Sequence, residues 1–96
     1  TITLTAGPGQ VSIIGASYTW VAYNANIENA IGSNSQDIIA GNELTNGLYG
    51  LGGNDTILSG QAGDFSNGMA GSDVIFGGQG DDILRGGQGA DYLSGD

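Results

Sequence analysis

Oxygen-bearing side chains recur at one fixed spacing along this sequence. Every ninth residue from Glu28 carries one: Glu28, Asp37, Asn46, Asp55, Asp64, Asp73, Asp82 and Asp91. Each is a carboxylate or its amide. The chain has no Cys and no His, so neither sulfur nor imidazole accompanies them. Oxygen donors alone suit a hard cation such as Ca²⁺, which takes about six to eight oxygens at roughly 2.3–2.6 Å. The absence of His removes the usual zinc ligand and the usual general base. Paired aspartates can also hydrolyse glycosides, but no nucleophile with a base stands beside them. Each aspartate is better placed as a metal ligand.

Composition supports this chemistry. Ten acidic residues face one basic residue, Arg85, for a net charge of −9. Nucleic acid and anionic membrane are poor partners for such a chain. Of its 96 residues only 39% are hydrophobic and 20 are Gly. One small domain of this kind buries little apolar area against a large backbone entropy. Without disulfides, something other than a conventional core must stabilise it. High acidity alone would read as disorder, but these carboxylates are spaced and not massed. No apolar run reaches membrane-spanning length, and Thr1-Ile2-Thr3-Leu4-Thr5 lacks the basic start of a signal peptide.

The elements that position the aspartates follow from the same period. From Tyr23 the chain divides without gaps into nine-residue blocks beginning at Tyr23, Gly32, Gly41, Gly50, Ser59, Gly68, Gly77 and Gly86. A ninth is cut after Gly95-Asp96. The acidic or amide residue is sixth in each block. The eighth position reads Ala30, Ile39, Leu48, Ile57, Ser66, Ile75, Leu84 and Leu93. Asp and Gly are good turn residues in any protein, but turn preference does not hold one register through eight blocks. A block reads as a six-residue turn and a three-residue strand whose middle residue points inward. Glycines let the turns reverse.

Two blocks then complete one coil, and blocks two apart in sequence stack. One edge of the stack carries Asp37, Asp55, Asp73 and Asp91; the other carries Glu28, Asn46, Asp64 and Asp82. A cation between stacked turns draws a carboxylate from each and carbonyls from the glycine-rich positions. The expected side-chain ligands are Asp37, Asp55, Asp64, Asp73, Asp82 and Asp91. The expected backbone ligands lie among Gly50, Gly52 and Gly53; Gly68, Ala70 and Gly71; Gly77, Gly78, Gln79 and Gly80; and Gly86, Gly87, Gln88 and Gly89. About four Ca²⁺ ions are expected. Asp73 and Asp91 form the cleanest pair. The turn at Gly32 is weakened by Ser33 and Ser35, and the site between the turns at Gly41 and Ser59 by the uncharged Asn46 and by Leu44 and Ala62 in place of Gly. In the block from Ser59, Ser66 falls in the core and Phe65 outside, unless a local shift turns Phe65 inward.

Residues 1–22 differ from the rest. Ile2 and Leu4 alternate with Thr, Gly7-Pro8-Gly9 signals a turn, and Val11–Ile14 and Tyr18–Tyr23 read as strands. They are expected to cap a roll spanning 23–96 that is truncated at its C-terminal end. Outward residues on one face, Ile38/Ala40, Thr56/Leu58, Val74/Phe76 and Tyr92/Ser94, are apolar enough to suggest docking on another domain.

Gly77-Gly78-Gln79-Gly80-Asp81-Asp82-Ile83-Leu84-Arg85 and Gly86-Gly87-Gln88-Gly89-Ala90-Asp91-Tyr92-Leu93-Ser94 both read G-G-x-G-x-D-x-U-x, with U aliphatic. This resembles the calcium-binding nonapeptide of RTX proteins. Asn26-Ile27-Glu28-Asn29-Ala30-Ile31-Gly32-Ser33 further resembles the segment leading into the roll of serralysin-type secreted metalloproteases. The resemblance implies an all-β, right-handed parallel β-roll with two repeats per coil and an N-terminal strand cap. It also implies bound Ca²⁺, type I secretion and an extracellular bacterial setting. The partner would be a zinc protease domain or another chain of the same parent. The chain itself lacks H-E-x-x-H and is expected to be non-catalytic. The alternative reading is an RTX adhesin or surface-binding module that presents a flat β-face.

Overall fold

The computed structural model describes residues 2–14 and 20–95, with side chains from Asn29 onward. Nine strands and no helix occur among them: β1 (Ile2–Ile14), β2 (Trp20–Ile31), β3 (Ile38–Ala40), β4 (Asn46–Tyr49), β5 (Thr56–Leu58), β6 (Phe65–Ala70), β7 (Val74–Phe76), β8 (Ile83–Gln88) and β9 (Tyr92–Ser94). All pairings between them are parallel, in the order β8-β6-β4-β2-β1-β3-β5-β7-β9. Odd-numbered strands from β3 form one layer and even-numbered strands the other. β1 pairs with β2 over most of its length and with β3 at Ile2 and Thr3, joining the two layers at one end. The smallest dimension is 13 Å, which suits two sheets packed face to face.

The expected coil is present. Ile39 pairs with Ile57, Ile57 with Ile75, and Ile75 with Leu93; Ala30, Leu48, Ser66 and Leu84 stack in the same way. Stacked aspartates are 18 residues apart. The chain is thus a parallel β-solenoid of about four turns. The eighth residues Ala30, Ile39, Leu48, Ile57 and Ile75 are fully buried and make up the aliphatic core. Burial of each such Ile or Leu is worth about 1.5–3 kcal/mol. Leu93, in the last described strand, is 44% exposed.

The block from Ser59 keeps its register, without the shift that could have turned Phe65 inward. Ser66 is buried in the core, and its hydroxyl meets the buried Ser59 hydroxyl at 2.6 Å. Two residues that depart from the repeat therefore satisfy each other. Phe65 lies outside, its ring 5.7 Å from that of Tyr49 and under the Arg85 guanidinium at 5.7 Å. On the opposite face Ile38, Leu58 and Tyr92 are exposed, and the Phe76 and Tyr92 rings are 5.9 Å apart.

Three local expectations change. Gly7-Pro8-Gly9 does not turn the chain; it lies within β1, where the register to β2 slips between Ala6 and Gln10. A bulge absorbs the extra residues and accommodates Pro8, which has no N–H to donate. The block at Tyr23 is extended and not turned, since β2 runs unbroken to Ile31. β6 and β8 continue beyond three residues, because Met69 and Ala70 pair with Gly87 and Gln88 across the turn. Gly15, Tyr18 and Thr19, the side chain of Glu28, and Asp96 lie outside the described residues.

The turns follow a backbone rule that the glycines only partly reveal. From Gly50 onward, the second and fourth residues of each block have positive φ. These are Leu51, Gly60, Met69, Gly78 and Gly87 at the second position, and Gly53, Ala62, Gly71, Gly80 and Gly89 at the fourth. At Leu51, Ala62 and Met69 a side chain therefore occupies a left-handed conformation (φ 77°, 74° and 77°), at about 1–2 kcal/mol each. Ala62→Gly is expected to stabilise the fold by about 0.5–1 kcal/mol, since strain relief outweighs added unfolded-chain entropy. Urea denaturation at saturating Ca²⁺ measures it; an unchanged or lowered midpoint contradicts the strain.

Candidate metal centre

Each aspartate sits where a turn meets its strand, and its side chain folds back over its own turn. Asp55 Oδ1 accepts the Asp37 N–H at 2.8 Å, Asp73 Oδ1 the Asp55 N–H at 2.8 Å, and Asp91 Oδ1 the Asp73 N–H at 2.8 Å. On the other edge Asp64 Oδ1 accepts the Asn46 N–H at 2.8 Å and Asp82 Oδ1 the Asp64 N–H at 2.9 Å. From Asp37 and Asn46 onward the two expected columns of side chains are therefore present. One oxygen of each carboxylate locks its coil to the preceding one.

The second oxygen has no such partner. Oδ2 of Asp55, Asp64, Asp73 and Asp82 is buried without any hydrogen bond. Asp55, Asp64 and Asp73 are almost wholly enclosed. Burial pushes the Asp55 carboxyl up to about 6, against the lowering effect of the Asp37 N–H and with the Asp73 and Asp37 charges adding to the rise. Burial likewise raises Asp64 to about 6, with the Asp82 charge adding, while the Asn46 N–H opposes. Asp73 is raised by burial and by Asp91, against the Asp55 N–H. An ionised carboxylate oxygen enclosed without a donor is costly.

A cation removes that cost, and the surroundings suit one. Asp55 Oδ2 and the Gly68 carbonyl both lie within 2.9 Å of the point where a Cβ on Gly50 would stand. A side chain there would fill the space between them. The same space over Gly68, Gly77 and Gly86 is bounded by Oδ2 of Asp73, Asp82 and Asp91. Among the described residues no three carboxylates converge. Further ligands must therefore be backbone carbonyls, which is what the glycine-rich turns expose. Asp55, Asp64, Asp73, Asp82 and Asp91 with these carbonyls would hold Ca²⁺, whose charge would neutralise the stacked acids.

The other expected backbone ligands divide by role. The N–H groups of Gly52, Ala70 and Gln79 bond the Ser33, Leu51 and Gly60 carbonyls of the preceding coil at 3.1, 2.8 and 2.9 Å. They hold turn on turn. The Gln88 carbonyl accepts the Gly71 N–H at 2.9 Å. Gly53, Gly71, Gly78, Gly80, Gly87 and Gly89 supply the positive φ, and a Cβ on any of them would collide with backbone of the coil before.

Asp37 is the exception among the aspartates. Its Oδ2 accepts the Ser33 N–H at 2.6 Å and the Ser33 hydroxyl at 3.0 Å. Asn46 Oδ1 similarly accepts the Asn42 N–H at 3.0 Å. Sequence reasoning marked both turns as weak calcium sites but missed what Ser33 and Asn42 do. The signal was a hydrogen-bonding side chain at the second position of each block.

Asp73→Asn keeps an acceptor for the Asp55 N–H and replaces the orphaned oxygen with a donor. It is expected to weaken Ca²⁺ binding by about tenfold or more, since one charged ligand is lost. Asp37→Asn is expected to change it by less than about twofold. Calorimetric titration of both variants checks the contrast; equal losses contradict it.

A comparison with protein families gives a match to the RTX calcium-binding nonapeptide repeat (4 copies), over residues 31–65 and 58–93. No curated protein and no solved structure matches the chain. The matched residues span every coil that carries a buried aspartate. With that match over most of its length, and with buried carboxylates recurring at the nonapeptide period, the chain belongs to the RTX calcium-binding nonapeptide repeat family.

Proposed function

We propose that this calcium-binding β-roll is a non-catalytic module that folds and gains stability when Ca²⁺ reaches it outside the cell. The observation that carries the reading is the set of four buried, unpartnered oxygens on Asp55, Asp64, Asp73 and Asp82. Without a cation, stacked ionised carboxylates repel and lack compensation. With one, their binding free energy becomes folding free energy. Extracellular modules bind at about 10⁻⁴–10⁻³ M. Such sites stay empty in a cytosol poor in Ca²⁺ and fill after export.

The parent we propose is a secreted, serralysin-like bacterial metalloprotease using type I secretion. The support is the segment Asn26–Ser33, which resembles the approach to the roll in that family. In this reading residues 1–22 cap the stack, supported by β1 bridging the two layers. The apolar face at Ile38, Leu58, Val74, Phe76 and Tyr92 would lie against the catalytic domain or another chain. No helix among the described residues is long and apolar enough to cross a membrane.

Circular dichroism is expected to show a large gain of β signal between EGTA and millimolar Ca²⁺. The same β content in both would refute calcium-dependent folding. A pH dependence follows from the raised carboxyls. Their folded-state values near 6 exceed the unfolded value of 3.8, so the folded metal-free chain binds protons more tightly than the unfolded one. Metal-free stability should rise as pH falls from about 7 toward 4, and Ca²⁺ affinity should fall over the same range because protons compete. Thermal melts in EGTA and titrations at several pH values test both; metal-free melting that rises with pH contradicts the assignment.

A further inference from the structure

The stack contains two kinds of turn. In the turns from Gly50 onward the second and fourth residues have positive φ, and the Oδ2 atoms of Asp55, Asp64, Asp73 and Asp82 are orphaned. In the turns at Gly32 and Gly41 neither feature is present. Ser33, Ser35, Asn42 and Leu44 lie outside the positive-φ region. The Ser33 N–H donates to Asp37 Oδ2 at 2.6 Å, and the Asn42 N–H to Asn46 Oδ1 at 3.0 Å. The Ser33 hydroxyl accepts the Ser35 N–H at 3.1 Å, and Asn42 Oδ1 accepts the Leu44 N–H at 2.8 Å. Both turns thus use one pattern: the second residue donates to the sixth and accepts from the fourth. The buried sixth residue is satisfied from within its own turn.

Resting on the calcium-dependent reading above, we propose that these two turns are independent of calcium, with Ser33 and Asn42 supplying by hydrogen bonds what a cation supplies in later turns. β1 to β4 are contiguous in the pairing order, β4-β2-β1-β3, with no later strand between them. They need no later coil to be hydrogen-bonded to one another. The first coil therefore persists when calcium is withdrawn. It presents the edges of β3 and β4 as templates on which β5 and β6, and then later coils, assemble as sites fill. Calcium removal unravels the later coils and halts at Gly50.

Amide hydrogen exchange on the full chain tests this, in EGTA and in millimolar Ca²⁺. In EGTA the amide of Gly32, whose acceptor Tyr49 lies in the first coil, is expected to exchange at least about tenfold more slowly than those of Gly50, Ser59 and Gly77, whose acceptors Asn67, Phe76 and Ser94 lie in later coils. In Ca²⁺ all four are protected. Loss spread evenly over every coil in EGTA overturns the proposal while leaving calcium-dependent folding intact. Absence of any calcium effect overturns both. A variant carrying Ser33→Gly, Ser35→Gly, Asn42→Gly and Asn46→Asp converts the two turns to the calcium type. It should lose first-coil protection in EGTA, regain it in Ca²⁺, and bind at least one more ion by calorimetry. Unchanged protection in EGTA overturns the role of the hydrogen bonds. Should the variant not refold in Ca²⁺, Ser33→Ala alone decides: faster exchange at Gly32 in EGTA supports the proposal, and no change overturns it.

Discussion

A carboxylate enclosed by backbone and missing a partner for one oxygen is the constraint on which this molecule turns. Stacking requires it. Each aspartate must lie over its own turn for Oδ1 to reach the N–H of the coil below. That same placement seals Oδ2 away from water. The hydrogen bond that aligns the coils and the charge that opposes their formation thus reside on one side chain. A conventional domain would offset such a cost with a broad hydrophobic core. Here the core is a single file of aliphatic residues from each layer, so the enclosed charges weigh more heavily against the fold.

The turn backbone answers the same constraint. Positive φ at alternate residues keeps glycine-rich turns in close contact with their neighbours, and the strain at Leu51, Ala62 and Met69 shows that the conformation is retained even where a side chain resists it. Where the backbone does not adopt it, as at Ser33 and Asn42, the backbone N–H turns toward the sixth residue, Asp37 or Asn46, and a local hydrogen bond closes the turn. Turn type and the state of the buried acid change together.

The coil, its two columns and its core were legible in the sequence because they are strictly periodic. The positions of Ile39, Ile57 and Ile75 follow from counting, and so does the stacking of Asp55 on Asp73. What was not legible lies where the period lapses. Nothing in Ser59 or Ser66 taken singly says that they meet; only the three-dimensional register brings their hydroxyls together. Gly7-Pro8-Gly9 carries every local mark of a turn, yet pairing with β2 on both sides of it, at Ala6 and at Gln10, keeps it within one strand. Ser33 and Asn42 were visible as departures from glycine. Their effect depended on backbone conformation, which one-letter spacing does not encode.

The place of Arg85 has a wider consequence. It is the chain's one basic side chain, and its guanidinium rests on the outer face of Phe65 and not among the acids. The coils therefore contain no cation of their own to balance the inner carboxylates. Most proteins encode both signs of charge and carry their neutrality with them. This one encodes only half and, in the function proposed above, takes the other half from solution, so that its state of order would report the divalent-ion content of the surrounding fluid.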